Sequence, residues 1–128
     1  MGENFSLINN TRNKLPSLSF LKMKNVILGR QYLLSIAFVT AQKSKEINKK
    51  YRKKNKAANI LSFSLRKNEG ELVLCPAVIK REAKSFKKTS SGFLAFLVIH
   101  GMLHLKGLKH GKRMGKLEKK YLTIFDSY

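Results

Sequence analysis

Acidic side chains are scarce in this chain: seven among 128 residues, with Asp126 the sole aspartate and six glutamates that stand apart except for Glu69 and Glu71. Two-metal phosphodiester chemistry needs several carboxylates converging on hard cations, and glycosidic chemistry needs a facing pair. The inventory argues against both classes. A single cysteine, Cys75, excludes an internal disulfide framework and a cysteine-based metal cluster. Its flanks Leu72, Val73 and Leu74 mark it as a buried structural thiol. The longest apolar run, residues 93–99, has seven residues, far fewer than the roughly 20 that span a bilayer. The first residues carry no basic-then-apolar signal pattern, so a cytoplasmic protein without membrane contact is expected. There is no internal repeat and no Gly/Ser linker, and the expectation is one domain over residues 1–128.

Positive charge is what the chain has in excess. Lys and Arg number 27, the formal net charge is +20, and the hydrophobic fraction of 43% still supplies a core. Residues 43–56 hold eight basic side chains against Glu46 alone, and residues 84–116 hold no acid. Charge of this size repels itself in the compact state, and an anionic partner offsets that repulsion. RNA or DNA is the expected partner, bound with a steep salt dependence.

Hydrophobic periodicity and turn residues predict an α+β fold: a small mixed sheet of about four strands with helices packed around it. Strands are expected over residues 5–9, 32–40, 59–65 and 71–75, the last two as a hairpin turning at residues 66–70. Helices are expected over residues 15–29 (on Leu15, Leu18, Leu21 and Val26), 41–51, 76–86, 91–105 and 116–125. Pro16 and Pro76 sit where helices can begin. Ser90 or Ser91 is the expected cap of the helix over 91–105, and Gly107 lies just past its end. Phe93 and Phe96 read as core on that central helix.

All three histidines fall within eleven residues, His100-Gly101-Met102-Leu103-His104-Leu105-Lys106-Gly107-Leu108-Lys109-His110. Residues four apart share a helix face, so His100 and His104 can direct their imidazoles at one ion. Gly107 can end the helix in a left-handed turn that returns His110 as a third ligand. Three neutral nitrogens suit Zn²⁺ and leave a fourth position open, as catalytic sites do. The spacing matches the histidines and glycine of the H-E-x-x-H-x-x-G-x-x-H peptidase pattern, but Gly101 stands where a peptidase carries its glutamate base. Lys106, Lys109, Lys112 and Arg113 favour a substrate that is already anionic.

These residues resemble the YbeY-type rRNA maturation factors, zinc-dependent endoribonucleases specific for single strands. His100 to His110 is similar to that family's H-G-x-L-H-L-x-G-Y-D-H signature. Ile47-Asn-Lys-Lys-Tyr-Arg52 with Asn59-Ile-Leu-Ser-Phe63 resembles its L-N-x-x-Y-R and D-V-L-S-F block, and Gly70-Glu-Leu-Val-Leu-Cys75 with Glu82-Ala83 its G-D-I-x-I-C and E-A block. Lys109, Leu108, Asn59 and Glu71 depart from the family's Asp, Tyr, Asp and Asp. The Lys109 change removes a carboxylate placed to orient a histidine, which would weaken metal binding.

The resemblance implies that His100, His104 and His110 bind zinc and that Arg52 lies in the same cleft as a catalytic group. A guanidinium there can engage a phosphate through two parallel hydrogen bonds and offset charge developing in the transition state. Tyr51 beside it can stack on a base or bury its ring. Ser62 and Ser64 read as strand or cleft hydroxyls, since no histidine–aspartate pair is left to activate them. The implied activity is cleavage of single-stranded RNA, with rRNA precursor on the small ribosomal subunit as substrate and ribosomal proteins as further contacts. The alternative is a non-catalytic, zinc-stabilised rRNA-binding assembly factor.

Overall fold

The computed structural model describes residues 4–15 and 18–126. Four strands, β1 (Phe5–Asn9), β2 (Leu33–Phe38), β3 (Ile60–Arg66) and β4 (Glu69–Leu74), form one sheet in the order β1-β2-β4-β3. β1 and β4 run parallel to β2, and β3 runs antiparallel to β4. Among the described residues five helices accompany it: α1 (Phe20–Ile27), α2 (Ala41–Arg52), α3 (Pro76–Ser85), α4 (Ser90–Leu105) and α5 (Lys112–Asp126). The expected α+β class and the mixed four-stranded sheet are both observed.

Helix α4 is the centre of the fold. Ten of its side chains or backbone positions are buried, among them Leu94, Val98, Ile99, Met102 and Leu103, a helix apolar on nearly every side as a helix enclosed by neighbours must be. It touches β3, β4, α1, α3 and α5. On the sheet, Ile60 and Leu72 face α4, while Leu61 and Val73 point the other way and form a second small core with Val39, against which Ile47 of α2 packs.

Two buried polar residues of α2 hold the loop that follows it. Ser44 Oγ donates to the Ala58 carbonyl at 2.9 Å and accepts from the Ala58 N–H at 2.9 Å, and Asn48 Nδ2 donates to the Lys56 carbonyl at 2.8 Å. Buried polar groups of this kind are stable because their hydrogen-bonding capacity is met. The result is a fixed, lysine-bearing loop over residues 53–59.

Several boundaries differ from the sequence expectation. The first helix starts at Phe20 instead of residue 15, and Val26 is 46% exposed while Lys24 is buried. Lys24 Nζ donates to the Arg30 carbonyl at 2.9 Å, which meets the charge that burial would strand. Pro16 lies outside the described residues. The hairpin turn tightens to residues 67–68, because β4 already begins at Glu69, paired with Leu33 of β2. Thr89 caps α4, its hydroxyl accepting from Gly92 N–H at 3.0 Å, in place of Ser90 or Ser91. The last helix starts at Lys112, four residues early, since Met114 is buried in the core and anchors its first turn. Phe93 is core as expected, but Phe96 is only half-buried and lines a cleft. Cys75 is fully buried, at 0% exposure.

Candidate metal centre

The centre is built on the C-terminal end of α4 and the turn after it. His100 and His104 lie one turn apart on the same helix face, with ring centroids 4.5 Å apart. Gly107 adopts φ +104°, a conformation that a residue with a Cβ adopts only with strain. Its N–H donates to the His104 carbonyl at 2.9 Å, and Leu108 N–H donates to the Leu103 carbonyl at 3.0 Å. This pair of bonds is the Schellman arrangement that closes a helix and reverses the chain. Leu108 packs against the core, and His110 returns to 5.0 Å from the His100 ring and 4.8 Å from the His104 ring.

Each helical imidazole has its Nδ1 occupied. His104 Nδ1 donates to the Leu108 carbonyl at 3.2 Å, so the turn that ends the helix also sets the tautomer of its last histidine. His100 Nδ1 donates to the Glu118 carboxylate from α5. In the neutral rings that ligate a metal each Nε2 then carries the lone pair, and the two Nε2 atoms face each other at 3.0 Å. Two facing lone pairs repel unless a cation lies between them, and two imidazoles on one tetrahedral ion place their nitrogens about 3.3 Å apart, given metal–nitrogen bonds of about 2.0–2.1 Å. One ligand atom from each histidine lies within 4.8 Å of the others. The three side chains can hold one metal ion. Burial lowers the pKa of His104, and the charges of His100 and His110 lower it further, which keeps it in the neutral form that ligates.

Glu118 is the contribution that the sequence reading missed. Lys109 has taken the place of an expected carboxylate, yet α5 supplies one, Glu118, from nine residues further along. The available signal was that Glu118 is the one acid within the basic stretch over residues 112–120.

Gly101 explains why no glutamate follows His100. A Cβ at this position would come within 2.9 Å of Ile60 Cδ1 and Leu72 Cδ2 and 3.1 Å of Ser62 Oγ. The helix lies too close to the sheet for a larger residue, so the peptidase base has no room.

The histidines open onto a cleft of about 1200 Å³ between α4, α3, β3 and the loop over residues 53–59. Lys45, Arg52, Lys54, Lys56 and Arg81 give its walls a positive field, and Ile60, Phe96 and Leu97 supply apolar surface. Among the described residues Glu82 is the one carboxylate on this lining, held by Asn59 Nδ2, which donates to Oε1 at 2.8 Å. Arg52 stands at the end of α2, with Nη2 donating to the Ser62 carbonyl at 2.6 Å and its guanidinium 5.2 Å from the Phe63 ring centroid. Ser62 lines the same cleft, whereas Ser64 is exposed and outside it. The structure thus brings His100, His104, His110 and Arg52 to one cleft. Tyr51 is exposed instead of buried.

Comparison with known proteins agrees with this geometry. The family model described as Endoribonuclease YbeY matches residues 8–126. An Endoribonuclease YbeY from Buchnera aphidicola is 38% identical, the match covering 91% of this chain and 84% of the relative. One from Thermodesulfovibrio yellowstonii is 37% identical, covering 92% and 79%. A solution structure of a Thermotoga maritima protein superposes with a TM-score of 0.66 at 24% identity, covering 92% of this chain and 86% of that one, and so shares the fold. A cluster of three histidines, two of them with Nδ1 held by a partner, a cationic cleft and a match over nearly the whole chain lead to one conclusion: this chain belongs to the Endoribonuclease YbeY family.

Proposed function

We propose that this chain is a cytoplasmic zinc-dependent endoribonuclease that cuts phosphodiesters of single-stranded RNA, with precursor rRNA on the small ribosomal subunit as its substrate and ribosomal proteins as neighbours there. The observation that carries the reading is the approach of the His100 and His104 Nε2 atoms to 3.0 Å, with His110 beside them, in the lining of a basic cleft. That arrangement calls for a cation at the place where a phosphate would be drawn.

His100, His104 and His110 would hold the ion. Zinc bound by three imidazoles supplies Lewis acidity toward a phosphoryl oxygen and toward water. The protein's own groups do the rest. Lys45, Lys54, Lys56 and Arg81 draw the phosphate backbone in, and Glu118 and the Leu108 carbonyl keep the histidines in register. Arg52, anchored by one Nη2 bond to Ser62, has its other guanidinium donors left for a phosphoryl oxygen, whose charge grows in the transition state.

The test is cleavage of a labelled single-stranded RNA by zinc-loaded protein beside a His100→Ala variant purified identically. Cutting by the wild type alone supports the reading, and Arg52→Lys should then slow turnover, because an ammonium cannot reproduce the planar fork. No cutting by either protein, with salt-dependent RNA binding retained, would replace it with the non-catalytic, zinc-stabilised assembly factor.

A further inference from the structure

Beyond the mouth of the cleft, α2 and β3 present an aromatic pair that the metal chemistry does not use. Tyr51 is 58% exposed, the most exposed of the described aromatic rings apart from Phe86. Its ring meets Phe63 edge-on, with centroids 5.5 Å apart and planes inclined at 67°. Arg52 covers Phe63 and also lines the cleft, so the cleft and the aromatic pair share one side chain. Lys50 Nζ lies 5.2 Å from the Tyr51 ring centroid, and Lys49, Lys53 and Lys54 surround it in sequence with no acid among them.

A large exposed ring in a field of cations selects for a ligand that offers a flat π face and negative charge together. A single nucleic-acid strand does this at every residue, since each base can leave its stack and rest on an aromatic side chain. In a duplex the same faces are stacked and paired. Resting on the reading that the cleft takes an RNA phosphodiester, we propose that Tyr51 is the stacking face for one unpaired base of the strand that leaves the cleft past Arg52. Phe63 buttresses the ring from its edge, and this subsite contributes to the preference for single strands over duplex.

The experiment is equilibrium binding of the zinc-loaded protein to a short fluorescent single-stranded RNA, with the integrity of the RNA checked on a gel. Tyr51→Ala and Tyr51→Leu should each weaken binding about 5- to 150-fold, the loss of one base–aromatic stack, while Tyr51→Phe retains it. Leucine keeps an apolar contact with Phe63 without a π face, so equal losses in the two variants separate stacking from packing. Abasic RNA should bind the wild type as weakly as Tyr51→Ala binds the intact strand, with no further loss in the variant, and duplex binding should be unchanged by either substitution. Equal discrimination between intact and abasic RNA in wild type and Tyr51→Ala would overturn the subsite while leaving the cleft reading intact. A wild type that holds no single-stranded RNA would overturn both.

Discussion

Removing the Glu118 carboxylate should weaken metal binding before it does anything else. Glu118 accepts the hydrogen bond donated by His100 Nδ1–H, and the two side chains are 16% and 22% exposed, so their interaction is only partly screened by water. In Glu118→Ala the Nδ1–H loses its acceptor and the ring is free to take the other tautomer, with the proton on Nε2, where it blocks the lone pair that faces His104 at 3.0 Å. The helix still presents the ring, so the triad is not lost. Removing a hydrogen-bond partner of a metal-ligating histidine lowers affinity about 10- to 100-fold, or about 1.4–2.7 kcal/mol. Glu118→Gln keeps an acceptor oxygen without the charge and should fall between wild type and Ala. Competition with a chromophoric zinc chelator at fixed pH reads the difference directly. Glu46→Gln is the control, because it removes the same charge at a surface pair with Lys43 whose side chains are 61% and 57% exposed, and zinc affinity should not move. If Glu118→Ala binds zinc within about twofold of wild type while its urea unfolding is unchanged, the orienting role of Glu118 is refuted.

Three further outcomes are expected. Gly101→Ala gains about 1 kcal/mol of helix propensity but forces a methyl against Leu72, which is fully buried, and against Ile60; overpacking costs about 1–3 kcal/mol, so urea denaturation should show a net loss of up to about 2 kcal/mol. The lowered pKa of His104 means that the unfolded chain binds the extra proton first as pH falls below about 6.5. Stability of the metal-free protein should therefore drop as pH falls through that value and level off below the folded pKa, a trend that urea midpoints should show less strongly in His104→Gln. Asn59→Asp sets a second carboxylate against Glu82, where the amide donor now lies at 2.8 Å. Two carboxylates so placed retain a proton that neither keeps when unfolded, so the variant should lose stability, relative to wild type, as pH rises from about 4 toward neutrality; equal wild-type and variant profiles in a pH series of melts would contradict the contact.

Much of this molecule is legible in its residues because the governing interactions are local. The histidine spacing and Gly107 specify a helix face and the turn that follows it, since the 3.6-residue repeat and the left-handed preference of glycine act within a few residues. The four strands, the hairpin and the all-round apolar character of α4 follow from short-range periodicity in the same way. The charge excess pointed to an anionic partner for an equally simple reason, being a sum over composition.

What depended on the tertiary structure is whatever joins distant parts of the chain. Nothing near His100 in sequence indicates that Glu118, on another helix, accepts the hydrogen bond of its Nδ1. Nor does local sequence reveal that Asn59 holds Glu82 on the cleft wall, that Ser44 and Asn48 fix the lysine loop, or that Tyr51 stands exposed against Phe63. Gly101 shows the division most clearly. Its identity is plain in the sequence, but its cause is the approach of α4 to Ile60 and Leu72, a close packing of separate elements that no periodicity encodes.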